Sequence, residues 1–389
     1  MFAIPISYNV RNLRSRPAST LMTALGIAAP VAVLMVLLAL VEGLQTSLAS
    51  TGNPAQVLVM RKGATSELTS TISRTAFREL RFTPGIAKTP SGDPMASLEV
   101  VTVIMMESPT MPDGINITLR GLLPVGFSMR EGVKLIEGQM FHPGSREVIV
   151  GRGIANRYPM ARMGSTLHFG RGDWTVVGVF DAGRSAANSE IFADLDQVAS
   201  EYNRVEDQSA VLLRAADVEQ VPALIKSLEN DKRFQVKPVT ENDYYAEQTK
   251  SAKPIKVMGY FISIIMAIGA SFAAMNTMYA ATSRRMAEIG TLRAIGFSRA
   301  DVLVSFLAES LLLSVVGGVL GCAVALAFNG VETGIGSIVT FSEITFGFHV
   351  GALTLCMGLG FSVVMGVLGG ILPARNAARI KIVDALRPH

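Results

Sequence analysis

The residues with the most chemically suggestive spacing form one run, Ser283-Arg-Arg-Met-Ala-Glu-Ile-Gly-Thr-Leu-Arg-Ala-Ile-Gly-Phe-Ser-Arg-Ala-Asp301. Met286, Ile289, Leu292 and Ile295 recur three residues apart, which predicts a short helix with one apolar face. Arg284, Glu288 and Arg293 lie off that stripe, so the chemistry on offer is charge-assisted docking of a partner. The bland alternative is a connector that rests on the membrane surface. Gly296 fits a helix stop, and Ser298 with Asp301 three residues on resembles a capping box that opens the next helix. Bond-making patterns are missing: there is no G-x-x-x-x-G-K-S/T phosphate loop, no H-E-x-x-H and no G-x-S-x-G elbow. The four histidines, His142, His168, His349 and His389, are far apart in sequence, and the carboxylates form no recognisable pair. No catalytic residue, metal, cofactor or nucleic-acid partner is expected of this chain.

The elements around that run are membrane helices. The chain has 389 residues, of which 17% are charged, against about 25% in an ordinary soluble protein. Its mean hydropathy is +0.39. Four nearly charge-free windows, Leu21–Leu44, Val257–Thr282, Val302–Phe328 and Val350–Leu372, are each long enough to cross a hydrocarbon core that needs about 20 helical residues. The first exceeds the 7–15-residue core of a cleavable signal, and a polar lead precedes it. Pro30 inside it predicts a kink. Cys322 and Cys356 both fall inside windows, which leaves no disulfide framework for the rest of the chain.

Positive residues set the expected topology. Arg11, Arg14 and Arg16 precede the first window; Arg284, Arg285, Arg293 and Arg299 separate the second from the third; Arg375, Arg379, Lys381 and Arg387 follow the fourth. The segment Asn329–His349 has no Lys or Arg. Both termini and the 283–301 loop are therefore expected in the cytoplasm, and residues 45–256 and 329–349 outside it. Residues 1–20, with Phe2, Ile4, Ile6, Val10 and Leu13 at roughly helical spacing, read as an amphipathic helix on the inner leaflet. Residues 373–389 form a cytoplasmic tail.

Between the first two windows lies a segment of soluble composition. Val57–Met60, Leu98–Met105, Asn116–Leu119, Glu147–Val150 and Thr175–Phe180 read as strands, Thr69–Leu80 and Asp217–Asn230 as helices. Val211–Arg214, Val218–Glu229 and Phe234–Lys237 read strand, helix, strand, and the centre, about 126–196, is rich in short strands with glycine turns. The expected fold is thus a polytopic α-helical membrane protein with four transmembrane helices and a large extracytoplasmic α/β domain, an α/β subdomain split by a β-rich insertion. Asn242–Lys250 reads as a helical stalk leading toward the second span, with Pro254 near the junction.

Three further features sit inside the windows. Glu309 is an intramembrane carboxylate, a placement that by default suggests function, but its shallow depth favours a structural hydrogen bond to a neighbouring helix. Gly317-x-x-x-Gly321 and Gly366-x-x-x-Gly370 permit close helix approach, within one subunit or at a dimer seam.

The run from Ala274-Met-Asn-Thr-Met through Arg284-Arg-Met-Ala-Glu-Ile-Gly-Thr-Leu-Arg-Ala-Ile-Gly to Glu309-Ser-Leu-Leu-Leu resembles the membrane subunits of MacB/FtsX/LolC-type (type VII) ABC transporters. So does the tail Pro373-Ala-Arg-Asn-Ala-Ala-Arg379 followed by Val383-Asp-Ala-Leu-Arg387, as do Gly138-Gln-Met-Phe, Glu147-Val-Ile-Val-Gly and Trp174-Thr-Val-Val-Gly-Val-Phe in the large domain. The resemblance implies a bacterial inner-membrane permease subunit that pairs with itself or with a paralogous permease. It implies a coupling helix over Ser283–Ile295 whose Arg284, Arg285, Glu288, Thr291 and Arg293 meet a cytoplasmic ABC ATPase, and that the ATPase binds the ATP. Because only 20 residues precede the first window, that ATPase is expected on a separate polypeptide. The implied mechanism is mechanotransmission, in which motion of the coupling helices is passed to the outer domain. Export with a periplasmic membrane-fusion adaptor and an outer-membrane duct is the leading expectation. Lipoprotein extraction of the LolC/LolE kind is less favoured by Val41-Glu-Gly-Leu-Gln, and an FtsX-like scaffold for cell-wall hydrolases by the size of the domain.

Overall fold

The computed structural model of the protein describes residues 8, 11, 13–15, 17–108, 111–249, 253–337 and 341–380. Most of the expected amphipathic helix over residues 1–20, and the tail beyond 380, lie outside the described residues. The chain divides into two units, each described by itself.

The first unit holds the apolar helices: α1 (Pro17–Ala49), then, after the helix α2 (Glu241–Thr249) of the other unit, α3 (Lys253–Arg284), the short α4 (Met286–Ala294), α5 (Arg299–Ala327) and α6 (Ala352–Arg379). Four of the chain's helices are long and apolar enough to cross a membrane. At 1.5 Å per residue, even the 28-residue α6 extends about 42 Å, beyond the roughly 30 Å of a hydrocarbon core. With only hydrocarbon around them, such helices associate through close packing, and the glycines provide it. A Cβ at Gly317 would stand 2.8 Å from Ala24 O, and one at Gly321 2.8 Å from Ala28 O, so α5 lies against α1. Gly366 and Gly370 face Ser314 and Ser310, and the Ser310 hydroxyl donates to Gly366 O at 2.7 Å, so α6 lies against α5. Both glycine pairs therefore serve contacts inside one subunit. At the other end of the bundle the Thr354 hydroxyl donates to Glu42 Oε2 at 2.6 Å, which ties α6 to α1.

The second unit is residues 43–253 with 332–347. Its strands are β1 (Gln56–Arg61), β2 (Ile72–Ser73), β3 (Ala96–Ser108), β4 (Met111–Leu122), β5 (Lys134–Gly138), β6 (Glu147–Gly151), β7 (Thr166–Phe169), β8 (Gly172–Asp181), β9 (Glu190–Asp194), β10 (Asp207–Gln208), β11 (Ala210–Arg214), β12 (Val236–Thr240), β13 (Glu332–Gly336) and β14 (Glu343–Gly347). One sheet runs β12-β1-β11-β3-β4-β9-β6-β8-β5, with β7 paired to β8. The β-rich insertion therefore extends the sheet it interrupts, through a parallel ladder of Thr118–Leu122 on Glu190–Asp194. Phe180 and Phe192 stack at 4.5 Å within the insertion's core, beside buried Leu122, Phe141 and Ile149. The 329–349 loop is also structured: β13 and β14 pair as a hairpin that belongs to this unit. Glu343 of that hairpin pairs with Arg157 and accepts from the Tyr158 hydroxyl at 3.1 Å, and Thr118 donates to Ser342 at 2.7 Å.

The interior of the domain carries an ion network. Arg120 of β4, 3% exposed, reaches Glu67 at 2.6 Å, Glu99 of β3 at 2.8 Å and Glu190 of β9 at 2.7 Å, while Arg130 holds Glu99 at 2.8 Å. Burial alone would raise the Glu99 carboxyl, but Arg130 and Arg120 override it and hold it below its usual range. Glu241, which opens the polar helix α2, is 5% exposed and among the described residues accepts one hydrogen bond, from the Asn53 amide at 2.9 Å. Burial pushes its carboxyl up to about 7, against the opposing pull of Arg130.

A raised carboxyl means that the folded domain binds a proton more tightly than the unfolded chain does. Glu241 therefore contributes stability that is fully present below about pH 4.5 and is lost as pH rises through about 7. Glu241→Gln should remove that dependence. In thermal melts of the full-length protein in detergent, the variant should gain about 3 kcal/mol relative to wild type between about pH 4.5 and about pH 8. Parallel pH profiles for the two proteins would contradict this.

Candidate functional site

The α4 segment is built by two interruptions in otherwise helical sequence. At the first, Arg285 leaves the helical path (φ −111°, ψ 16°), and its amide donates to Thr282 O at 3.0 Å as α3 ends. At the second, Gly296 takes φ +115°, a conformation L side chains resist, and the Phe297 amide closes on Leu292 O at 3.2 Å. Ser298 and Asp301 then form the reciprocal cap that opens α5.

Arg285 is the centre of the site. Its Nη1 donates to Glu309 Oε2 at 2.9 Å and its Nε to Glu288 Oε2 at 3.2 Å. The guanidinium lies between the rings of Phe306, at 5.1 Å, and Tyr8, at 5.3 Å, and the Tyr8 hydroxyl donates to Glu288 Oε2 at 3.1 Å. The side chains of Arg285 and Glu309 are 6% and 9% exposed. Glu309 is thus the internal counter-ion of the α3–α4 junction.

The far end of α4 is fastened as well. Arg293 Nη1 donates to Ile380 O at 2.9 Å and Ala378 O at 3.3 Å, where a cation meets the carbonyl end of α6. Between the two ties, Ile289 is buried in a cluster with Met278, Val302, Phe306 and Ala377. Arg284, Glu288 and Thr291 remain exposed, with Thr291 donating only to Ala287 O on its own helix. Of the five polar residues assigned to this helix, Arg285 and Arg293 thus use their guanidinium groups inside the chain, and the other three form an open face.

The apolar stripe divides. Ile289 is 2% exposed, whereas Met286 is 38% and Ile295 73% exposed, so a continuous buried face does not form. The signal for Arg285 as the hub was present in sequence, in the Glu288 three residues on and the unmatched Glu309, but two adjacent arginines read alike there. The role of Tyr8 had no signal.

The comparisons with known proteins bear on this arrangement. A family described as the MacB-like periplasmic core domain matches residues 20–231, and one described as the FtsX-like permease C-terminal domain matches residues 260–382. The macrolide export ATP-binding/permease protein MacB of Bdellovibrio bacteriovorus is 28% identical over 194 residues, covering 48% of this chain and 28% of that protein. That of Bradyrhizobium diazoefficiens is 27% identical over 239 residues, 58% of this chain and 35% of its own. That of Escherichia coli K12 is 34% identical over 141 residues, 35% and 20% of the two chains. The matched stretches span about a third or less of these relatives' own length.

Removing one partner of a buried ion pair typically costs about 3–5 kcal/mol, because the other charge is left unmatched, whereas replacing both with apolar groups is often near neutral. Arg285→Met should therefore lower the melting temperature of the detergent-solubilised protein sharply, and the double change Arg285→Met with Glu309→Leu should recover most of the loss. Additive losses in the double variant would show that the two side chains do not act as a pair.

Proposed function

The chain belongs to the family of MacB-like and FtsX-like ABC transporter permeases, a multi-pass membrane protein, and from that premise we propose that it converts ATP-driven motion of an ATPase into movement of its large domain. In this reading the ATPase docks on the open face of α4, formed by Arg284, Glu288, Thr291 and Ile295. The observation that carries it is the double fastening of α4. Arg285 ties its start to α5 through Glu309, and Arg293 ties its end to α6. A force applied to the open face is then delivered to two membrane helices rather than absorbed by a loose connector.

The distribution of arginine and lysine supports placing α4 and both termini on the ATP side, the cytoplasm of a bacterial cell, with the large domain across the inner membrane. Relatives named as macrolide export ATP-binding/permease proteins support export as the outcome; in this reading a membrane-fusion adaptor and an outer-membrane duct assist it. ATP is bound and split by the ATPase, while this subunit transmits motion and pairs with a second permease copy or a paralogue. The substrate is carried or pushed by the moving domain.

The docking face is tested by substitutions that leave the internal ties alone. Arg284→Glu combined with Ile295→Asp changes two exposed side chains of the face, neither of which takes part in the ties of Arg285 or Arg293. Truncating a hydrogen-bonded charge at an interface costs about 2–5 kcal/mol, so recovery of the ATPase that co-purifies with the wild-type chain should fall at least about tenfold. Membrane insertion should be unchanged. Normal co-purification at normal expression would remove the docking assignment.

A further inference from the structure

A cavity of about 260 Å³ opens in the large domain, lined among others by Gln56, Arg130, Glu131, Glu190, Glu241 and Tyr245. It has room for far more than the single water that a buried polar gap of about 10–15 Å³ would hold. Its polar wall is rich in acceptors. Glu241 is 5% exposed, pairs with no cation among the described residues, and takes one hydrogen bond, from the Asn53 amide. Gln56 is 1% exposed and donates its side-chain nitrogen to Met129 O at 2.7 Å, which leaves its carbonyl oxygen without a donor among the described residues.

The charges nearby do not balance. Arg130, the one cation among the described residues that line the cavity, is committed to Glu99 through both Nη atoms, and Glu190 is engaged by Arg120. Glu131 sits at the rim, 61% exposed, paired with Arg214 at 2.5 Å. Taken over the whole network, Arg120 and Arg130 face Glu67, Glu99, Glu190 and Glu241, so carboxylates are in excess. No group of three or more metal-ligating side chains exists among the described residues, which turns attention from an inorganic ion to an organic one. Met129, Val133, Ala187 and the Tyr245 ring supply an apolar wall beside the carboxyl. An ammonium on an apolar body matches both surfaces.

We propose that this cavity binds a small organic amine, with its ammonium on Glu241 and the Gln56 carbonyl and its apolar body against Met129, Val133 and Ala187. Thr51 and Asn53, which follow α1, and Glu241 and Tyr245 of α2 line the same space, so a bound amine touches two of the chain segments that lead between this domain and membrane helices. The groups facing Glu241 are Arg130, Arg120 and Glu99, the Asn53 amide, and Tyr245 and Glu190 across the cavity. Burial holds the unliganded carboxyl near 7, so binding an ammonium requires that the proton leave. The inference stands on the cavity alone and does not require the docking face on α4.

The test uses the full-length protein in nanodiscs and 4-fluorobenzylamine as the probe, followed by fluorine NMR, with 4-fluorobenzyl alcohol as the uncharged isostere. The amine should bind saturably, at least about tenfold more tightly than the alcohol. Glu241→Gln should weaken amine binding by about tenfold or more, while Glu131→Gln at the rim should change it less than about threefold. The wild type gives a check that needs no folded variant: affinity should rise about thirtyfold between about pH 5.5 and about pH 8, where the probe stays protonated. Equal binding of amine and alcohol would overturn the assignment, as would amine binding indifferent both to pH and to Glu241→Gln.

Discussion

Arg285 occupies the point where a membrane helix ends and a surface helix begins, and much of the surrounding packing depends on its charge being answered. A guanidinium removed from water at such a place is tolerated only with a counter-ion and filled hydrogen bonds. Glu309 provides the first, Glu288 a further acceptor, and the rings of Phe306 and Tyr8 cover the two sides. The consequence is mechanical. The junction between α3 and α4 cannot shift relative to α5 without unmatching a buried pair, so α4 moves with the helices it joins. Arg293 sets the same condition at the other end, on the carbonyls of Ala378 and Ile380.

The chain passes between the two units four times, near residues 42–43, 253–254, 331–332 and 347–348. The last two passages belong to the β13–β14 hairpin, which is held to the domain by Arg157 and Tyr158 on Glu343, by Thr118 on Ser342 and by the Ser189 hydroxyl on the Thr345 amide at 2.5 Å. A displacement of α5 and α6 thus has a covalent route into the sheet through the hairpin, separate from the routes through α1 and α3.

The sequence was most legible where one physical effect dominates. Hydrocarbon selects long apolar runs, and each of the four windows overlaps one observed helix, the third running one residue past α5 to Phe328 and the fourth starting two residues before α6, at Val350. The windows were shorter than the helices because charge marks the edge of hydrocarbon and not the end of hydrogen bonding: α6 continues past Pro373 and Arg375 to Arg379. In the large domain the expected helix over Thr69–Leu80 shrinks to Arg74–Leu80, since the Ser73 hydroxyl accepts the Ala76 amide and caps it there. The expected strand ending at Lys237 runs on through Pro238, which pairs opposite Val59; β12 is an edge strand, where a missing N–H is tolerated. What sequence could not show was long-range pairing. Arg120 lies 53, 21 and 70 residues from the carboxylates it holds, and the hairpin in 329–349 acquires its partners only from the folded domain.

The two units handle buried charge in opposite ways, and the contrast bears on where each is able to respond. In the membrane unit the principal buried pair, Arg285 and Glu309, is one cation against one anion, and a second carboxylate, Glu288, sits at the exposed edge. That arrangement is closed, because any loss leaves a stranded charge. In the large domain two guanidinium groups share four carboxylates, so carboxylates outnumber cations by two, and Glu241 is the one that neither guanidinium touches among the described residues. Tyr244, its hydroxyl 3.4 Å from Glu67 Oε2, is driven well above its usual range by burial, so it stays a neutral phenol and adds no further negative charge. Glu241 is left to adjust, by holding a proton or by meeting a charge from outside the chain. It opens the helix that follows β12 and precedes the second membrane helix in sequence. The open position of the network therefore falls on the segment that leads in sequence from the large domain to the second membrane helix, whereas the closed pair falls at the junction of α3 and α4.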